Sequence, residues 1–490
     1  MGRISTEDVA KQGPSPKSAY SSGFSASTAA DLSEIARKIK SGEFKIAVYG
    51  LGHVGSPMAS VWLRAGAQVI GVDKSATVLE RARKGESHLP EPGVNDAFAS
   101  GLVNKRFQVY HDPIKASRHS YLKMICVPVL SSTNDGSPDL SAVKDVSSAI
   151  GKGLKEGDVV SLNPSVPPGT TEDIVLPVIE AQSGFQVEKD FYLIYNPERI
   201  YEGRAIQDIE ERYPAIISGA GPKSLDIAKT IYPLISKKGV FTVSSIRAAE
   251  TEKLLEGVYR DVNIALANEL AKFCERIGVN FWEVRQAANS QPFCHLHSPG
   301  VGVGGACIPV YPQFILHTAE RLNVNCEITR IARSINKAMP AFCVQEATAL
   351  FENTRKRGKG NTKDGIVVVT LLGLAFRGGV SDTRLSPTYD VISEFQKRGV
   401  REIRVHDPLV KSDPELLKRQ NVVLSSNLDD AVSGADLVMI VADHPEYRSL
   451  TSEQLGGLPV YDGRAILDMT FFDHSPYAAI GVGNRSDDVY

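Results

Sequence analysis

Residues 44–55 read Phe-Lys-Ile-Ala-Val-Tyr-Gly-Leu-Gly-His-Val-Gly, and this stretch decides the fold. A short apolar run ends in glycine, as a buried parallel strand does. Gly50-Leu51-Gly52-His53-Val54-Gly55 is then a G-x-G-x-x-G turn that closes the strand and opens a helix. A second strand runs from Gln68 and ends on Asp73, 18 residues after Gly55. Strand, glycine turn, helix and acid in this order form a dinucleotide-binding fingerprint. Gly50 permits the tight turn, Gly52 lets the backbone approach a pyrophosphate, and Gly55 lets helix and strand pack closely. The helix N-terminus faces the anion. The Asp73 carboxylate accepts hydrogen bonds from the adenine-side ribose and repels a 2′-phosphate, so the expected cofactor is NAD. Lys74, next to it, softens the preference over NADP.

Outward from this unit, strand-like runs alternate with helical stretches. Met124–Val129, Asp158–Leu162 and Phe191–Tyr195 continue a parallel sheet with helices on both faces. From Arg247 to Gly278 a single helix is expected, with Leu254, Val258, Val262, Leu266 and Leu270 as its apolar stripe, widened by Leu255 and Tyr259. A helix of about 30 residues is roughly 45 Å long and bridges domains, forms a subunit interface, or both. Gly365–Leu372, Glu402–Asp407, Asp436–Ala442 and Leu458–Asp462 read as strands of a second α/β domain, with Asn353–Asp364 as its linker. The expected fold is therefore α/β: two Rossmann-like doubly wound domains joined by a long central helix. The expected divisions are 1–43 (a mobile tail, rich in Ser, Ala, Gly and Pro up to about residue 30, then a short helix over Asp31–Lys40), 44–240, 241–350 and 351–490.

Composition excludes several classes. At 490 residues the chain has room for roughly three domains of about 150 residues. Its 55 Lys and Arg nearly balance 57 Asp and Glu, which leaves no electrostatic footprint for nucleic acid or a membrane surface. The longest nearly apolar stretch, Gly365–Phe376, is far short of the roughly 20 residues that span a bilayer. No secretory signal is visible at the N-terminus, and a cytoplasmic protein is expected. The six cysteines, without C-x-x-C pairs, suit neither a disulfide framework nor a zinc site, so no metal is expected. His295 and His297 are read as loop packing or substrate contacts, with no third ligand near them.

The segment Ser298-Pro299-Gly300-Val301-Gly302-Val303-Gly304-Gly305-Ala306-Cys307-Ile308-Pro309 is a loop able to wrap closely around a ligand, and it ends in a lone cysteine. A lone cysteine is more often a small buried hydrophobe. At the edge of such a loop, in a chain with a dinucleotide site, it becomes a candidate nucleophile.

Here the sequence resembles the UDP-glucose/GDP-mannose dehydrogenase family, over nearly everything from Phe44 to about Asp468. Gly304-Gly305-Ala306-Cys307 is similar to that family's catalytic loop. Asn196-Pro197-Glu198-Arg199 with Glu202 resembles its glutamate segment, Ala249-Glu250-Thr251-Glu252-Lys253 the start of its central helix, and Pro164-Ser165-Val166-Pro167-Pro168-Gly169-Thr170-Thr171 its S-T-V-P-x-G-T turn. Gly373-Leu374-Ala375-Phe376-Arg377, Asp382-Thr383-Arg384-Leu385-Ser386-Pro387 and Asp462-Gly463-Arg464 resemble its sugar-nucleotide motifs. Asn196–Arg199 and Arg260–Ala265 are nearest the branch acting on UDP-N-acetylhexosamines, UDP-N-acetylmannosamine especially. The resemblance implies a UDP-sugar 6-dehydrogenase that passes two hydrides to NAD. Cys307 would be the nucleophile, Lys253 the oxyanion partner, and Glu198 the base that activates water with Ser165 orienting it. Beside the glycine turn and Asp73, it places Pro128, Ser165, Glu202 and Arg384 at the cofactor. At the substrate it places Glu198, Arg199, Lys253, Gly257, Gly300, Gly302, Gly304, Phe376, Arg377 and Arg464. It also implies a homodimer or larger homo-oligomer.

Four positions depart from the common family pattern. Gly257 stands where the family has Asn, Tyr311 where it has Asp, Val129 where it has Thr, and Phe293 where many N-acetylhexosamine enzymes carry Arg. The Gly257 position is expected to be a gap, open to a water or to an N-acetyl group. The competing readings are a UDP-glucose or UDP-N-acetylglucosamine 6-dehydrogenase, a two-electron NAD enzyme such as a 3-hydroxyacid dehydrogenase, a sugar oxidase or an epimerase, and a sugar-nucleotide-binding homologue impaired in turnover.

Overall fold

The structure is a computed structural model and describes residues 26–132, 136–356, 365–473 and 475–483. The expected tail and most of the expected linker lie outside them. The short helix is present as Ala26–Ser41.

The first sheet has eight strands. In chain order they are β1 (Lys45–Tyr49), β2 (Gln68–Val72), β3 (Phe107–Tyr110), β4 (Leu122–Ile125), β5 (Val159–Leu162), β6 (Tyr192–Tyr195), β7 (Ala215–Gly219) and β8 (Val240–Thr242). Their spatial order is β8-β7-β6-β5-β4-β1-β2-β3. The six from β3 to β6 are parallel, in the 3-2-1-4-5-6 order of a doubly wound dinucleotide fold, and β7 adds antiparallel to β6. Residues 46–49 of β1 are fully buried, as a central parallel strand requires.

The second sheet repeats the plan. Strands β9 (Val368–Leu372), β10 (Glu402–His406), β11 (Val422–Ser425), β12 (Leu437–Ile440), β13 (Val460–Asp462) and β14 (Tyr477–Ala479) lie in the order β11-β10-β9-β12-β13-β14, all parallel. This is the same 3-2-1-4-5-6 arrangement.

Between the sheets stand two long helices, Ile246–Arg276 and Glu327–Lys356. The second corrects the sequence reading: Asn353–Lys356, expected to begin a linker, is its last turn, and a domain boundary at 350 would cut through it. Buried polar contacts lock the pair. Asn336 donates to Asp261 at 2.8 Å, Arg333 pairs with Asp261 at 2.8 Å, and Asn268 donates to Asn336 at 2.9 Å.

The central helix also buries a different face from the one expected. Its inner face is Ile246, Ala249, Glu250, Lys253, Leu254, Gly257, Asp261, Ala265 and Asn268. Of the expected stripe, Leu254 is buried, but Leu266 is exposed, and so are Leu255 and Tyr259. A strict four-residue repeat advances about 40° per step around a helix of 3.6 residues per turn, so the stripe winds away from the core. Among the described residues no helix is long and apolar enough to cross a membrane.

Candidate active site

The fingerprint loop follows β1 and is built as its glycines require. Gly50 has φ +92°, in the left-handed region. A Cβ on Gly55 would overlap the Gly50 carbonyl oxygen, and one on Gly52 would meet nothing within 4 Å. Gly52 thus leaves the open approach that a pyrophosphate needs. Asp73, just past β2, accepts from the Leu51 N–H at 2.8 Å and the Ser75 N–H at 2.9 Å. Both bonds fix the carboxylate, and each oxygen keeps a further lone pair for a ribose hydroxyl. Lys74 is exposed, and Pro128 lies in the loop after β4, whose Cys126 and Val127 backbone meets Gly50. Among the described residues, this cradle fits NAD.

The expected catalytic residues converge at the carboxyl ends of β5 and β6, where ligands bind in open α/β sheets. Ser165 follows β5, and Glu198 follows β6 in a loop held by a Glu198 N–H bond to the Asn163 carbonyl, 3.2 Å. Glu250 ties the Ser165 turn to the central helix, accepting from Gly169 N–H at 2.5 Å, Thr171 N–H at 2.8 Å and the Thr171 hydroxyl at 2.6 Å. Lys253 points inward from the same helix face, with Nζ 3.6 Å from Glu198 Oε1 and both side chains nearly buried. Ser165 does not orient Glu198 directly: it donates to the Tyr311 hydroxyl at 2.9 Å, which donates to Glu198 Oε1 at 3.2 Å.

Cys307 lies in the glycine-rich loop that abuts this cluster. The residue is exposed, and Glu198, Lys253, Tyr311 and Arg384 lie near enough to act on its thiol. Burial, and then the Glu198 charge, push its thiol up, while Lys253, the Tyr311 hydroxyl and Arg384 pull it down. The loop is anchored by the Gly300 N–H, which donates to Asn268 at 2.9 Å.

Its glycines let other parts of the protein approach closely. A Cβ on Gly300 would stand 2.6 Å from Arg464, one on Gly302 3.0 Å from Pro387, and one on Gly304 2.6 Å from the Leu385 carbonyl oxygen. Phe376 packs against Gly305, whose N–H donates to the Arg384 carbonyl. Phe376 and Arg464 thereby bring the second sheet's domain to the Cys307 loop.

Two expected substrate residues have protein neighbours that the sequence did not show. Gly257 is not a gap, because the Tyr311 ring covers it. Arg199 pairs with Glu256 at 2.6 Å, in a groove of about 1210 Å³ that Lys253 also lines, together with Tyr201, Tyr213, Arg247 and Arg260. Phe293 is 91% exposed, and His297 packs edge-on to Tyr259 and His295.

At the seam of the two sheet domains, Arg377 stacks on Tyr201 at 3.9 Å and donates to the Glu202 carbonyl at 2.9 Å. His53, Glu202 and Asp382 meet there with their ligating atoms within 4.8 Å of one another, and Arg384 grips Asp382 through both nitrogens of its edge. That guanidinium already supplies a positive charge beside Asp382. Burial, then Arg384, lowers His53 to about 4; burial, then Asp382, raises Glu202 to about 7. The sequence reading quoted Asp382 and Glu250 within longer motifs but gave neither a role of its own. An acid two residues before Arg384, and one on the inner face of a long helix, were the available signals.

Two nucleotide-type domains, a glycine cradle with a ribose acid, and a Cys–Lys–Glu cluster between them define an NAD-dependent UDP-sugar dehydrogenase. The chain belongs to the UDP-glucose/GDP-mannose dehydrogenase family. It matches the family's NAD binding domain over residues 44–236, its central domain over 247–338 and its UDP binding domain over 370–469. It is 34% identical over 427 residues to the UDP-N-acetyl-D-mannosamine dehydrogenase of Pyrococcus horikoshii, covering 86% of this chain and 96% of that one. It is 31% identical over 430 residues to an NDP-N-acetyl-D-galactosaminuronic acid dehydrogenase of Ralstonia nicotianae, covering 86% and 96%. Among solved structures, the Pyrococcus horikoshii UDP-D-ManNAc dehydrogenase superposes with a TM-score of 0.81 at 32% identity, covering 90% of this chain and all of that one. A UDP-glucose dehydrogenase of Pyrobaculum islandicum does so with 0.80 at 26%, covering 89% and 98%.

Proposed function

We propose that the enzyme oxidises the C6 alcohol of UDP-N-acetylmannosamine to the uronate in two hydride transfers, with Cys307 carrying the intermediate. The observation that carries this reading is the convergence of Lys253, Glu198 and Ser165 on the loop that ends in Cys307. The substrate assignment draws on the relatives' names, and UDP-glucose, named for the Pyrobaculum enzyme, is its competitor. Bound NAD supplies the hydride acceptor.

Loss of the first hydride and the hydroxyl proton leaves an aldehyde, which has no good hydride to lose until a nucleophile adds. The Cys307 thiolate adds to the carbonyl carbon, forming a C–S bond and an oxyanion beside Lys253. Loss of the second hydride from that carbon gives a thioester. Glu198 then takes a proton from water, whose oxygen attacks the thioester carbonyl. The C–S bond breaks, freeing the acid and the Cys307 thiolate.

The domain of the first sheet would hold NAD and that of the second sheet the UDP moiety, while the central helix and the glycine-rich loop bring Lys253 and Cys307 between them. The exposed apolar residues Leu255, Tyr259, Leu266, Phe273 and Ile277 on and just after the central helix support a homodimer built on that helix. Initial rates of NADH formation with UDP-N-acetylmannosamine, UDP-N-acetylglucosamine and UDP-glucose test the substrate. A higher kcat/KM with UDP-glucose would reverse the assignment.

A further inference from the structure

Gly257 and Tyr311 lie 54 positions apart in the chain, and the structure joins them in one contact. Tyr311 opens the helix Tyr311–Arg321, one turn past Cys307, and its N–H donates to the Cys307 carbonyl at 3.0 Å. A Cβ built on Gly257 would stand 2.6 Å from Tyr311 Cδ2 and 3.0 Å from its Cβ. A side chain at 257 and the ring in its present place exclude each other.

Seated on the glycine, the phenol oxygen accepts from Ser165 and donates to Glu198 Oε1. Among the described residues, the ionisable groups that act on this pair are Lys253 from the central helix, Cys307 from the glycine loop, and Cys126 and Tyr195 from the sheet side. The Ile200 N–H holds the other carboxylate oxygen at 3.2 Å. Burial, then the nearby Cys307 and Glu198, keep the phenol protonated, so it serves as a donor and not as a base.

We infer that Tyr311, seated on Gly257, is the positioning residue that fixes the Glu198 carboxylate for thioester hydrolysis. The inference rests on the proposed role of Glu198 as the base. Glu198 Oε1 has two competing partners, the Tyr311 hydroxyl at 3.2 Å and Lys253 Nζ at 3.6 Å. Without the hydroxyl, the carboxylate turns toward the ammonium and away from the water. Lys253, and with it the oxyanion, is left in place, so hydride transfer is spared and hydrolysis suffers.

Tyr311→Phe tests this, since it keeps the ring on Gly257 and removes only the oxygen. The expected result is an unchanged burst of two NADH per active site and a kcat lowered about 10-fold to 100-fold, the worth of one hydrogen bond to a charged group. The KM for the UDP-sugar falls with kcat, so kcat/KM stays at the wild-type value, and the melting temperature drops by no more than a few degrees. Hydroxylamine, whose nitrogen attacks a thioester without needing the base, releases the hydroxamate and restores turnover.

Gly257→Ala, which displaces the ring, lowers kcat in wild type but costs nothing further in a Tyr311→Ala background. Additive losses, a slowed burst, or a Tyr311→Phe enzyme with wild-type kcat would each overturn the role given to Tyr311. If wild type itself forms one NADH per sugar, the proposed function fails and takes this inference with it. Two NADH from wild type with an indifferent Tyr311→Phe overturns the inference alone.

Discussion

Replacing Lys253 by Met removes the ammonium while keeping an unbranched stem on the inner face of the central helix. The ion pair it breaks spans 3.6 Å, with both side chains less than a tenth exposed. At that separation, an effective dielectric near 20 gives an attraction of about 4–5 kcal/mol before desolvation. Removing one partner of a buried pair typically costs about 3–5 kcal/mol. Glu198 keeps two donors, the Tyr311 hydroxyl and the Ile200 N–H, so a stability loss at or below the low end of that range is expected. Catalysis suffers more. Loss of a group that stabilises an oxyanion costs about 10²–10³ in rate. Rapid-quench measurement of NADH after mixing enzyme, NAD and UDP-sugar separates the two effects. The second hydride phase slows by that factor, while the first phase and the KM for UDP-sugar move by a few-fold. A urea melt records the stability change. A Lys253→Met enzyme with its second hydride phase within three-fold of wild type would show that Lys253 is only the structural counter-ion of Glu198.

Cys307→Ala is expected to bind the UDP-sugar normally and form no uronate, checked by calorimetry and mass analysis of the products. Wild type should show a burst of NADH followed by slower turnover, with a covalent adduct on Cys307 seen by mass spectrometry, because the one hydroxyl beside Glu198 is a neutral phenol. Since burial raises the Cys307 thiol above its ordinary range, it is mostly protonated at neutral pH, and its alkylation should speed about ten-fold per pH unit from 6 to 8. A flat profile would contradict the burial. Asp73→Ala should narrow the preference for NAD over NADP, read as the ratio of their kcat/KM values. Light scattering should find a dimer, and a monomer at all concentrations would rule out assembly on the central helix.

The cofactor cradle was legible because its chemistry is local: Gly50, Gly52, Gly55 and Asp73 are fixed by one strand–turn–helix unit, and the structure uses each as its position requires. The central strands were legible from their unbroken apolar runs. Strands at or near the sheet edges were not. In β3 only Phe107 is fully buried, and β8 and β11 have no fully buried residue, so none offers such a run. The second long helix escaped notice because Pro340 interrupts it and its buried face mixes Thr329, Asn336 and Thr354 with apolar residues. The glycines of the Cys307 loop suggested a ligand, but close approach to a ligand and to a neighbouring domain leave the same mark on a sequence. Tyr311 and Gly257 were visible as separate oddities. Their contact belongs to tertiary structure, as does the stacking of Arg377 on Tyr201 across the seam.

The most direct test is a stoichiometric count. With UDP-N-acetylmannosamine limiting and NAD in excess, NADH is read by absorbance at completion and the sugar nucleotide is identified by mass. Two NADH per sugar, with the uronate as the only product, is the expected result; one NADH per sugar, or an accumulating aldehyde, would contradict the four-electron reaction through Cys307.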